Sequence, residues 1–148
     1  MLKRIVLSLV ATFIAIAFLV AVFAKGDEIY ILKNGQGLSA RMIELATDIG
    51  IKNPTKVRTL EKVKIYGKDS IGGLTVGYGI YVKKGYATES LICHELVHVK
   101  QYEDAGGVYK FLVKYINETS KVGYLDNKYE VEARVKAEIY TVMYNLEE

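Results

Sequence analysis

The chain has 148 residues, one cysteine, two histidines and a formal charge of +3, with basic and acidic residues nearly balanced. That length holds one domain, or one domain with a targeting segment. A lone cysteine excludes an internal disulfide framework, and no motif of a nucleic-acid-binding module is present, so nucleic acid is not an expected partner.

In chain order, Leu2-Lys3-Arg4 precedes an apolar run from Ile5 to Ala24, interrupted only by Ser8 and Thr12. A helix of that length just crosses a hydrocarbon core of about 30 Å, and the run exceeds the usual apolar stretch of a signal peptide. Val22-Phe23-Ala24 still offers side chains after which a signal peptidase can cut, before Lys25. Residues 1–24 are therefore expected to be a transmembrane anchor or a signal peptide. Basic residues at the short end keep the N-terminus in the cytoplasm. The expected location is a membrane-anchored extracytoplasmic domain, or an exported protein, with the membrane as partner through residues 1–24.

Residues 25–148 form the expected domain. Lys25 to Gly37 reads as a juxtamembrane linker, with Ile29-Tyr30-Ile31-Leu32 as a short strand or docking segment. Ser39 opens a helix with the stripe Met42, Leu45, Ala46 and Ile49, closed by Gly50. Asn53-Pro54 marks a turn. Val57 to Tyr66 is rich in β-branched residues and predicts a strand. Gly67 to Gly73 reads as a turn, and Leu74 to Val82 as a second strand. In that strand Leu74, Val76, Tyr78 and Ile80 share a face, with Gly77 and Gly79 on the other, where a neighbouring backbone can come close. Residues 51–84 carry eight Lys or Arg against two acids, whereas residues 85–148 carry seven against eleven. The basic stretch reads as a solvated lysine face.

Thr88 or Ser90 caps a helix that runs to about Asp104, buries Leu91, Ile92, Leu96 and Val99, and ends at Gly106-Gly107. A further helix covers Val108 to about Thr119, with Phe111, Leu112, Tyr115 and Ile116 as its stripe. Gly123 breaks the chain. A last helix runs from about Lys128 to Leu146 and is expected to bury Val131, Val135, Ile139, Val142 and Leu146. The order of elements predicts an α+β fold.

The chemistry lies in Cys93-His94-Glu95-Leu96-Val97-His98, which carries H-E-x-x-H and both histidines of the chain. Four residues apart on a helix, His94 and His98 aim two imidazoles at one point. Glu95, beside them, is placed to act as general base on a water held by the same metal, which is expected to be Zn2+. Cys93 sits 100° from His94 and reads as core. A catalytic zinc needs three protein ligands and an open position. With no third histidine, the third must be a carboxylate, and Tyr129-Glu130-Val131-Glu132-Ala133-Arg134 offers Glu130 and Glu132.

An H-E-x-x-H followed by E-x-x-A on a later helix resembles the gluzincin metallopeptidases. His94 to Tyr102 (HELVHVKQY) with Tyr129 to Arg134 (YEVEAR) is similar to small bacterial gluzincin-like proteins. The resemblance implies a minimal zincin-like domain, in which a small antiparallel sheet packs on three to four helices. It makes His94, His98 and Glu130 the zinc ligands and Glu95 the catalytic base of a metallopeptidase acting on a peptide or protein substrate. Ala133 and Ala137 would let the two helices approach closely. Leu74 to Val82 takes the place of the substrate-binding edge strand. Arg134 stands where many gluzincins carry an aspartate that orients a histidine, so the orienting partner of His94 is not apparent. Tyr102, Tyr124 and Tyr140 are candidates for stabilising an oxyanion. The alternatives are a non-catalytic zinc-binding interaction module, or a membrane-tethered scaffold without metal.

Overall fold

A computed structural model describes residues 19–147. In chain order these form a helix over residues 19–34 (α1), strand β1 (Gln36–Gly37), helix α2 (Ala40–Asp48) and one turn of 3-10 helix (Pro54–Lys56). Strands β2 (Arg58–Lys62), β3 (Gly73–Val76) and β4 (Gly79–Lys83) follow, then helices α3 (Glu89–Ala105), α4 (Val108–Val122) and α5 (Lys128–Tyr144). The α+β class is as expected. The sheet is mixed rather than antiparallel, in the order β1-β2-β4-β3. After β2 the chain passes to the outer edge, descends as β3, and returns as β4 between the two, so β2 and β4 run parallel.

The stretch expected as one strand from Leu74 to Val82 is therefore a hairpin, turned at Gly77 and Tyr78. Its alternation hides the turn. Across a two-residue turn the paired residues, here Val76 and Gly79, share a face, so odd and even positions exchange sides. Leu74, Val76, Gly79 and Tyr81 consequently face one way, and Gly73, Thr75, Ile80 and Val82 the other.

The first of these faces carries α1. The segment expected as a linker with a short strand at Ile29–Leu32 is helical throughout, with Ile31 and Glu28 buried. Ile31 lies against Gly79, where an ideal Cβ would stand 2.9 Å from the Ile31 Cβ, so only glycine admits this contact. The expected close approach at Gly79 is thus made by a side chain of α1. Polar bonds complete the docking. Tyr81 and Tyr66 donate to Asp27, the former at 2.8 Å, and the Tyr78 amide donates to Glu28 at 3.1 Å, with Lys25 paired to the same carboxylate. Burying Ile31 contributes about 1.5–3 kcal/mol to holding the helix on the sheet.

Residues 1–18, and with them most of the apolar run, lie outside the described residues. Among the described residues no helix is long and apolar enough to cross a membrane. Helix α1 passes the position between Ala24 and Lys25 without a break, and Ala21 and Ala24 are buried.

The opposite face of the sheet holds the main core. Ile80 and Val82 meet Met42, Leu45 and Ala46 of α2 and Leu96, Val97 and Val99 of α3. Ser39 caps α2 as read from the sequence, its side chain accepting from the Met42 amide. Cys93 is fully buried in this core, and burial pushes its thiol up to about 12, consistent with a packing role. Helix α5 departs from expectation. Its buried residues are Glu130, Ala133 and Ala137, whereas Val131, Val135, Ile139 and Val142 are 40–83% exposed; Leu146, just past the helix, is buried as expected. Two apolar stripes at helical spacing compete here. The alanine stripe faces α3 because small side chains let the two backbones lie close and carry Glu130 inward.

Candidate metal site

Two helices, α3 and α5, bring the ligands together, and caps fix where each begins. Thr88, not Ser90, caps α3 by accepting from the Leu91 amide at 3.2 Å, and Gly106 ends the helix in the left-handed conformation at φ 83°. Within α3, His94 and His98 lie one turn apart with their Nε2 atoms 3.2 Å from each other. Glu130 arrives from the first turn of α5, whose position is set by Asn127. That fully buried side chain accepts from the Tyr129 amide and donates to Tyr115 O and Thr119 Oγ1 of α4. Asn127, rather than Glu130, therefore provides the helix cap.

Glu130 Oε2 and Oε1 stand 3.5 Å from His94 Nε2 and His98 Nε2, respectively. One ligand atom from each of the three residues can be chosen so that all lie within 4.8 Å of one another, a group able to hold a metal ion. Two features fit a cation. Glu130 Oε2 is buried without a hydrogen-bond partner, an arrangement that costs free energy unless something positive occupies the space it faces. Burial opposes ionisation of Glu130, but the neighbouring His94 and His98 imidazoles and the Tyr115 hydroxyl hold its carboxyl well below the usual range. Tyr115 donates to Glu130 Oε1 at 2.6 Å.

The second feature is the tautomer of His98. Gln101 Nε2 donates to Tyr129 O and Glu132 Oε2, both acceptors at 3.0 Å, which fixes the amide so that its Oε1 faces His98. His98 Nδ1–H must then donate to Gln101 Oε1 at 2.8 Å, leaving the Nε2 lone pair for a metal. Gln101→Leu is expected to weaken metal binding about tenfold to a hundredfold. Titration against a competing chelator measures this, and unchanged affinity would show that the ring is oriented by other contacts. Glu132, the alternative third ligand, is turned away and bonds Gln101 and Lys136.

Glu95 is 4% exposed and joins the wall of an open cleft of about 1020 Å³. Thr75 of β3 donates to Glu95 Oε2 at 2.6 Å. Gly73, also on β3, faces the other oxygen, and an ideal Cβ there would stand 2.5 Å from Oε1, so any larger residue would displace the carboxylate. Strand β3 is one of the two outer strands of the sheet and borders the cleft.

The three tyrosines proposed from the sequence separate. Tyr140 donates to Asp48 O, away from the cleft, and Tyr102 is buried with its hydroxyl on Thr75 O. Tyr124 lines the cleft; burial and the neighbouring Glu130 charge push its phenol up to about 12, so it remains a donor at neutral pH. Arg134 donates to Leu125 O and orients neither histidine. Sequence reading missed Gln101, Tyr115, Thr75 and Gly73. Gln101 had a usable signal, since it lies three residues after His98 on the same helix face. Tyr115 sat in an apolar stripe and read as core. No family model, no curated protein and no solved structure matches the chain.

Proposed function

We propose that this chain is a zinc metallopeptidase that hydrolyses peptide bonds. The observation that carries this reading is the convergence of His94, His98 and Glu130 on one point beside Glu95, in a cleft open to a substrate. Two neutral imidazoles and a carboxylate are the donor set of a catalytic zinc site with one position left open. Zinc held there would lower the pKa of a bound water to about 7 and polarise a carbonyl.

The residues then divide the work. Glu95 accepts a proton from the attacking water as its oxygen bonds to the peptide carbon, and delivers that proton to the nitrogen as the C–N bond breaks. One acid and one amine result, with Glu95 returned to its starting state. Of Tyr102, Tyr124 and Tyr140, Tyr124 is the one whose hydroxyl is placed in the cleft to donate to the developing oxyanion. An extended peptide can add alongside the edge of β3 that faces away from β4, which would lay its backbone past Glu95.

A second reading, a non-catalytic zinc module, is favoured by one observation. His94 Nδ1 has no hydrogen-bond partner among the described residues, so one ligand lacks the support that tunes catalytic sites. Metal removal decides between them. The chain is expected to carry about one zinc, since its three ligands define one site. Chelation should abolish cleavage of a mixed peptide library, and added zinc should restore it. A chain that binds zinc but cleaves nothing would favour the second reading, and one that binds none would sink both.

A further inference from the structure

We propose that Thr75 is the positioning residue for Glu95, through a hydrogen bond that determines which carboxylate oxygen faces the cleft. This rests on the peptidase reading, in which Glu95 is the base. Thr75 and Glu95 are 5% and 4% exposed, so bulk water does not solvate the pair, and a charged acceptor in such a place needs a donor. Thr75 Oγ1 lies 2.6 Å from Glu95 Oε2 and 3.0 Å from the Glu95 backbone oxygen. A hydroxyl has one proton. The carboxylate oxygen, closer and charged, takes it.

Oε1 accepts no hydrogen bond among the described residues and stands over Gly73, where the lack of a side chain leaves it room. The carboxylate is thus pinned at one oxygen and free at the other, as a proton acceptor needs to be. A glutamate has three side-chain torsions, and without the bond it could settle in several rotamers. The Tyr102 hydroxyl also donates to the Thr75 carbonyl at 3.2 Å, so strand and motif helix are joined on both sides of the same residue. Because β3 is also the strand beside which a substrate would lie, the seat of the substrate and the hold on the base are one piece of backbone.

Thr75→Val keeps the shape and removes the donor, whereas Thr75→Ser keeps the donor and removes a methyl group. In the zinc-loaded full chain, Thr75→Val should lower kcat about tenfold to a hundredfold, the scale of a misplaced catalytic group. KM and zinc content should stay at wild-type values, and Thr75→Ser should recover most of the lost kcat. A folded, zinc-loaded Thr75→Val with wild-type kcat overturns the proposal, and so does an equal loss in Thr75→Ser. If the wild type itself turns over no peptide, the peptidase reading falls separately. The crystal structure of Thr75→Val then decides on Thr75: a Glu95 carboxylate displaced from its place over Gly73 supports the positioning role, and one that has not moved overturns it.

Discussion

Glu130→Ala is expected to abolish metal binding, zinc on the proposed reading, while Glu132→Ala keeps it. The two side chains point about 200° apart on α5, so only one can reach the two imidazoles. Glu130 is the one that does, 3.5 Å from each imidazole, whereas Glu132 reaches Gln101 and Lys136. Loss of a ligand that touches the metal should reduce affinity by several orders of magnitude. Loss of Glu132, which acts only through Gln101, should cost about tenfold to a hundredfold at most. Removing Glu130 leaves the Asn127 cap intact, so circular dichroism should still show a folded chain. A folded Glu130→Ala with normal zinc would rule out the site as drawn.

Glu95→Gln is expected to leave zinc content unchanged and to lower peptide turnover about a hundredfold to ten-thousandfold, the usual contribution of a positioned base. The substitution is nearly isosteric, and the glutamine oxygen can still accept from Thr75. What it loses is the capacity to take a proton. Zinc content by emission spectrometry and kcat on one cleaved peptide measure the two halves. Zinc loss in this variant would make Glu95 a ligand, and full activity would move the base elsewhere.

Much of the site could be read from the sequence because it is local. His94 and His98 share one helix, so their spacing alone sets their meeting point, and the same rule put Cys93 in the core. Thr88 and Gly106 announce the ends of that helix by their chemistry. The choice of Glu130 over Glu132 came from resemblance, and spacing could not have made it, because both lie beside apolar positions. What stayed hidden depends on distant partners. Asp27 is bound by tyrosines 39 and 54 residues further on, and nothing near Lys25 to Gly37 announces that docking. The hairpin is hidden for another reason: the apolar residues Leu74, Val76, Tyr78 and Ile80 alternate straight through the turn in sequence, although the turn puts Ile80 on the opposite face. On α5 the bulkier stripe was chosen as the buried one, but the close contact with α3 selects alanines.

The docked α1 has a consequence for reach. Thirteen unstructured residues would give a tether with an end-to-end distance of about 20 Å, letting the cleft swing widely around its attachment. A helix held to the sheet by Ile31, Asp27 and Glu28 gives no such freedom. If residues 1–18 hold the chain to a bilayer and join α1 without a hinge, the height and heading of the cleft above that surface are set by the way α1 meets the sheet. Such an enzyme works like a tool on a fixed mount. It would cut only chains that are themselves loose enough to be fed to it, at one distance from the surface.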